Sequence, residues 1–131
     1  KDVVHADIKL DNILVDESYS NIMLCDFGSA FLSLHHEEVT ATPYMVSRFY
    51  RPPEVILGLY YQSSSSSTTT TKILHAIDVW SVAVTCVELF VGQVVFPGNC
   101  NNDMLHLFMS CMGPIPFRLI RQHVMVGKQH G

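Results

Sequence analysis

Basic charge is scarce in this 131-residue chain: 8 Lys and Arg stand against 12 Asp and Glu, for a formal net charge of −4, and no stretch gathers the cations into a stripe. A surface that tracks phosphates along a nucleic acid needs such a stripe, so no direct nucleic-acid partner is expected. Cysteine is equally thin. Cys25, Cys86, Cys100 and Cys111 form no CxxC pair and none stands at zinc-ligand spacing with a histidine pair. A reducing intracellular compartment is the simplest setting for them. No basic segment followed by an apolar run opens the chain, so no secretory signal is read. Lys1 leads almost at once into Val3-Val4, which gives the expectation of a piece that starts inside a domain. The longest apolar run, Ala76 to Val91, carries Asp78 and Glu88. A span needs roughly 20 apolar residues, and each carboxylate at the bilayer centre costs about 2.5–3.5 kcal/mol. No membrane partner is expected.

What is present is enough apolar material for one core, at 48% of residues. Val3-Val4, Ile13-Leu14-Val15 and Ile22-Met23-Leu24 are short β-favouring runs around polar segments, which predicts small strands bracketing loops. From Phe31 to Tyr50 neither period is sustained, and a long irregular loop is expected there. Pro52-Pro53-Glu54 opens a short helix to about Leu57, stopped by Gly58. Gln62 to Lys72 holds five serines and four threonines and has nothing to bury, so residues 62–72 are expected to be a disordered insertion. Ala76 to Val91 is apolar nearly all round and reads as a buried axial helix. Asn101-Asn102-Asp103 is expected to cap a helix over Met104 to Met112, ended by Gly113-Pro114. Phe117 to Gln122 is one or two further helical turns, with a frayed end from Gly127 to Gly131.

The chemistry concentrates in His5-Ala6-Asp7-Ile8-Lys9-Leu10-Asp11-Asn12 and, further on, Asp26-Phe27-Gly28. One carboxylate able to accept a proton, a lysine and an amide close by, and a second carboxylate placed for a metal are what phosphoryl transfer requires. That reaction asks the protein mainly for positioning and charge neutralisation. Each motif alone is weak, since Asp and Asn on loops usually cap or turn the backbone. Their order, together with Pro52-Pro53-Glu54 and Asp78-Val79-Trp80-Ser81, resembles the protein kinase signature set. The resemblance implies an α+β fold: a protein-kinase-like, partial C-terminal lobe over 1–131, mainly helical with short β-hairpins around a catalytic loop at 5–12. An activation segment at 26–54 follows from it. Thr42-Pro43-Tyr44-Met45-Val46-Ser47-Arg48-Phe49-Tyr50-Arg51 narrows the similarity to the group of cyclin-dependent, MAP and glycogen synthase kinases. His-Ala-Asp in place of His-Arg-Asp, with Phe96-Pro97-Gly98 and Asn101-Asn102-Asp103-Met104-Leu105, is most similar to its splicing-associated, pre-mRNA-processing branch.

Carried over position by position, the resemblance implies that Asp7 accepts or orients the substrate hydroxyl proton, and that Lys9 offsets charge on the transferred phosphate. Asn12 and Asp26 would hold Mg²⁺, and Leu14 would floor the adenine of ATP. Tyr44 matches a regulatory phosphotyrosine, with Arg48 and Arg51 as cations for its phosphate. His5 is expected to pack beneath the loop, Asp78 to tie the loop's backbone to the buried helix, and Glu54 to be structural. The implied activity is ATP-dependent phosphorylation of serine or threonine in protein substrates, with spliceosomal partners and a nuclear location following from the branch alone.

Ala6 departs from the family in removing an arginine that pairs with activation-loop phosphate in many kinases. Leu10, Ala83 and Val84 are further departures. The glycine-rich loop and strand lysine that cover ATP have no counterpart in the 131 residues. A kinase-domain fragment whose half-site cannot turn over alone is therefore one expectation. A catalytically inactive kinase fragment or pseudokinase serving as a binding module is the alternative.

Overall fold

The computed structural model describes residues 3–32, 46–59 and 67–129. Four short strands come first. β1 (Val3–Val4) pairs antiparallel with β4 (Phe31–Leu32), Val3 opposite Leu32 and Val4 opposite Phe31. Between them β2 (Ile13–Val15) and β3 (Ile22–Leu24) form a second antiparallel ladder, with Leu14 opposite Met23. The β2–β3 turn is closed by one side chain: the Asp16 carboxylate accepts from the Ser20 and Asn21 amides at 2.9 and 3.2 Å and from Asn21 Nδ2 at 2.8 Å. These donors hold the exposed Asp16 carboxyl far below the ordinary carboxylate range.

Four helices follow. α1 (Pro53–Ile56) begins on prolines and ends at Leu57, as expected. α2 (Ser67–Val91) starts well before the expected Ala76. Once a helix is anchored by buried residues, each added residue gains a hydrogen bond without a new nucleation cost, so even poor helix formers extend it backwards. The expectation of disorder over 62–72 is corrected for 67–72, and 62–66 lies outside the described residues. α3 (Asn101–Met112) begins three residues earlier than expected. Its N-cap is Cys100, which makes no side-chain cap, while Asp103 turns back to accept from the Asn99 amide at 3.2 Å. Gly113 ends α3 at φ 90°, a conformation a side chain would strain. α4 (Phe117–Gln129) is longer than the one or two turns expected.

The core gathers on one stripe of α2. Leu74, Ile77, Ser81, Val84, Thr85 and Glu88 are buried, at the three-and-four spacing of a helix face. Ile77, Val4 and Met104 are fully buried, and Phe108 meets Phe96 and Trp80 edge-on at 4.8 and 5.2 Å. The Ser81 and Thr85 hydroxyls are satisfied by carbonyls one turn back, at 3.1 and 2.8 Å. Gly98 belongs to this packing, because a Cβ there would come within 2.8 Å of the Met104 amide. The opposite face of α2 is open, with Val79 69%, Leu89 64% and Phe90 93% exposed. The helix is thus half buried rather than buried all round, because its polar residues Ser81, Thr85 and Glu88 point inward while apolar ones point out.

Candidate active site

The loop between β1 and β2 is bent by Ala6 at φ 61°, a left-handed conformation uncommon for a residue with a side chain. Asp78 of α2 explains how it persists. Its two carboxylate oxygens accept the backbone N–H of His5 at 2.7 Å and of Ala6 at 2.9 Å. Both amides lie in buried residues, so one helix carboxylate both satisfies them and fixes the turn. His5 is the pin on the other side. The Asp7 amide donates to its Nδ1 at 3.3 Å, which leaves Nε2–H to donate to the Cys25 carbonyl at 3.1 Å, and its ring lies 4.9 Å from that of Phe27. His5 and Asp78 therefore have the supporting places expected of them.

Asp7 is where this support leads. Oδ1 accepts from Ser47 Oγ at 2.6 Å and the Ser47 amide at 3.3 Å, and Oδ2 from Lys9 Nζ at 2.9 Å and Asn12 Nδ2 at 3.0 Å. A carboxylate offers about four lone-pair sites, and four donors face it. Burial works to raise the Asp7 carboxyl's pKa, but the bonds from Ser47 and Lys9, the Lys9 charge and the Asn12 bond outweigh it, leaving it lowered. Asp7 is thus ionised at neutral pH and suited to aligning a hydroxyl. Lys9 Nζ also donates to Ser47 Oγ at 3.0 Å. Asp7, Lys9 and Asn12 are brought together as their spacing implied. Ser47, 40 residues away in sequence, joins them.

Asn12 also donates Nδ2 to the Asp7 carbonyl at 2.8 Å, so only its Oδ1 can serve a cation. The Cys25 amide bonds to the Asn12 carbonyl at 3.0 Å, which sets Asp26 beside this segment. Asp26 is exposed, left-handed at φ 59°, and caps the Phe27–Ser29 turn through Gly28. One amide oxygen and one carboxylate make a hard-oxygen donor set that fits Mg²⁺, an ion that keeps several of its waters. Among the described residues no cluster of three or more His, Cys, Asp or Glu side chains offers a further cation site.

The segment carrying Ser47 is strained and braced. Val46 sits at φ 70°, which is costly for a β-branched residue. The Arg51 guanidinium, 5% exposed, donates to the Val46 carbonyl through Nε at 3.2 Å and Nη2 at 2.9 Å, and through Nη1 to Asn101 of α3 at 3.1 Å. Arg51 therefore holds backbone, Arg48 is exposed, and Tyr44 lies outside the described residues. Tyr50 completes the brace. Its hydroxyl donates to Glu88 of α2 at 2.6 Å, and its carbonyl lies 3.1 Å from Ser81 Oγ. Burial, the Glu88 bond and the nearby carboxylate charges push the Tyr50 phenol well above its ordinary pKa, so it stays a donor. Glu54 is raised by burial, against a small opposing contribution from its own amide.

Leu14 is 51% exposed on β2, and Val15, Ile22 and Met23 are also exposed around it, so the hairpin presents an apolar surface beside the polar junction. The sequence reading missed Ser47 and the Tyr50–Glu88 pair. Ser47 and Tyr50 lie in the string from Thr42 to Arg51 and Glu88 in α2, and no local signal in either stretch points to these partners.

A carboxylate, a lysine and an amide joined in this way, over backbone tied down by a helix carboxylate, have the composition that phosphoryl transfer asks of a protein, and the protein kinase domain matches residues 1–123. The chain belongs to that family. Within it, the chain is 44% identical over 124 residues to the serine/threonine-protein kinase prpf4B of Dictyostelium discoideum, covering 95% of this chain and 13% of that protein. It is 42% identical over 120 residues to the serine/threonine-protein kinase prp4 of Schizosaccharomyces pombe, covering 92% and 22%. Rat cyclin-dependent kinase-like 2 is similar at 37% over 111 residues, covering 85% and 19%. The chain therefore spans less than a quarter of the length of these relatives.

Proposed function

We propose that this chain supplies the acceptor-aligning half of a protein kinase centre, in a protein that transfers the terminal phosphoryl group of ATP to serine or threonine of other proteins. The observation that carries this reading is the ionised Asp7 carboxylate, held on both oxygens by Ser47, Lys9 and Asn12. An incoming hydroxyl is aligned on Asp7, which takes its proton late, since a carboxyl of lowered pKa is a weak base. Lys9 offsets charge on the moving phosphoryl group. Asn12 and Asp26 are the residues that would hold Mg²⁺, whose chemistry when bound is to neutralise the nucleotide phosphates. Leu14, on the exposed apolar hairpin, suits the underside of the adenine. Phosphate on Tyr44 would pair with Arg48 and Arg51, the second of which also braces the Val46 carbonyl.

The C-terminal-lobe placement, the cyclin-dependent and glycogen synthase kinase grouping, a setting in nuclear pre-mRNA splicing and spliceosomal partners belong to the same proposal. Their support is the Ala6-containing catalytic loop, the Phe96-Pro97-Gly98 segment and the similarity to the prp4-type kinases. The binding-module alternative is not favoured, given the bonds from Lys9 and Asn12 to Asp7 and the serine/threonine-protein kinases among the relatives. A radiometric assay settles the matter, run on the 131-residue chain beside a length-extended protein and its Asp7→Asn variant. Asp7-dependent labelling of a protein acceptor by the extended protein is the expected result. Labelling that survives Asp7→Asn would overturn the assignment.

A further inference from the structure

Ser47 is placed as an acceptor as well as a brace. Its hydroxyl donates to Asp7 Oδ1 at 2.6 Å, the distance of a strong charge-assisted bond, and receives Lys9 Nζ at 3.0 Å. The base and the phosphate-neutralising cation that an external hydroxyl would need are therefore both on Ser47 Oγ already. Four donors fill the four lone-pair sites of Asp7, so an incoming hydroxyl must displace one of them. Ser47 Oγ is the neutral side-chain hydroxyl among them. It is also held in place from behind, through Arg51 on the Val46 carbonyl and Glu88 on the Tyr50 hydroxyl. A group fixed like this reacts with a large advantage in effective concentration over one arriving from solution.

We propose that Ser47 is a phosphoryl acceptor in its own chain, modified by the nucleoside triphosphate that serves the centre, and that its modification switches the centre off. The inference rests on the phosphoryl-transfer reading above. Ser47 Oγ forms a bond to the γ-phosphorus, and the bond from that phosphorus to the β–γ bridging oxygen breaks, its electron pair leaving with the nucleoside diphosphate. The Ser47 proton passes to Asp7 Oδ1 along the existing hydrogen bond. Asp7 then releases that proton to solvent, and the product holds a phosphate dianion beside the Asp7 carboxylate, paired with Lys9. No external hydroxyl can then reach the base, so the reaction limits itself.

The test uses the full-length protein, treated first with phosphatase and then given magnesium and ATP together with a generic basic protein acceptor. Phosphopeptide mass spectrometry follows Ser47 through time at two protein concentrations tenfold apart. The expected result is phosphate on Ser47 with a rate constant unchanged by dilution, and acceptor labelling that slows in proportion to Ser47 occupancy and recovers on phosphatase treatment. A Ser47→Ala protein, whose starting rate is lowered by loss of a donor to Asp7, should carry no phosphate there and should hold that lower rate through time. The dilution series on the unaltered protein decides the question by itself if that variant does not fold. Sustained acceptor labelling with Ser47 unmodified would overturn this inference and leave the kinase reading standing. Modified Ser47 with no acceptor labelling would support the inference and count against protein substrates. A Ser47 rate that rises with protein concentration would overturn the within-chain geometry.

Discussion

Around Asp7, donors from segments 40 residues apart converge on one carboxylate, over backbone held left-handed at Ala6 and Val46. Along the outer face of α2, Val79, Leu89 and Phe90 are held only by the helix they belong to and stand open. In the first region local donors from Lys9 and Asn12 are joined by Ser47 and Asp78 from far along the chain, and strain is tolerated because several bonds over-determine it. In the second, local helix propagation sets the backbone and the side chains carry no geometry. Substitutions in the two regions should therefore differ in kind. In the first they change chemistry and cooperativity, and in the second they change little beyond solubility.

The largest effect is expected at the junction itself. Asp7→Asn keeps the size of the side chain and removes the proton acceptor, so kcat of the full-length protein should fall about 10²–10⁴-fold, with some loss of stability as well, since an amide nitrogen would face donors that now meet a carboxylate oxygen. Initial rates at saturating ATP measure it, and a fall smaller than tenfold would place the reacting centre elsewhere. Next comes Asp78→Ala, which leaves the His5 and Ala6 amides without their acceptor. A cost of about 1–3 kcal/mol for each amide is expected in chemical denaturation, with Asp78→Asn losing roughly half as much. Tyr50→Phe strips Glu88 of its 2.6 Å donor and should cost about 1–3 kcal/mol. Pairing it with Glu88→Leu should restore part of that, and a double-mutant cycle reads the coupling.

Acidity separates two carboxyls within the same region. Burial raises Glu54, so its folded-state pKa lies above the unfolded value near 4.5. Its protonated form favours folding, a contribution fully present below the unfolded pKa and lost as pH rises through the folded one. Asp7 is lowered, so its contribution is present above about the ordinary 3.8 and is lost as pH falls through its folded value. Glu54→Gln should therefore flatten the decline in stability on raising pH through the window above 4.5, and leave the acid limb unchanged. Denaturation midpoints across that range check it.

The polar set at 5–12 and 26–28 was legible because its residue types are chemical statements in themselves and their spacing is local. The short strands and α1 were legible for a similar reason, since runs such as Ile13–Val15 and the prolines at 52 and 53 act over a few residues. What was not legible is long-range. Nothing near Ser47 or Tyr50 announces bonds to Asp7 and Glu88, and nothing near Arg51 announces that it also braces a strained carbonyl and bonds Asn101. The early start of α2 was hidden because serine and threonine disfavour a helix individually, and an anchored helix overrides that preference.

The smallest expected effect sharpens the comparison most. Phe90 is 93% exposed, whereas Phe108, two aromatic neighbours at hand, is 2% exposed. If the outer face of α2 carries no packing of its own, Phe90→Ser removes a ring that was never taken out of water, and folding stability should move by no more than about 0.5 kcal/mol. The residue is near the helix end, so the lower helix propensity of serine has little to act on. Solubility should rise, because an exposed aromatic beside Leu89 and Val91 adds to a contiguous apolar patch. Measured in the full-length protein, a loss of several kcal/mol would show that this face is covered by other parts of that protein, and would move the outer side of α2 into the same class as the junction around Asp7.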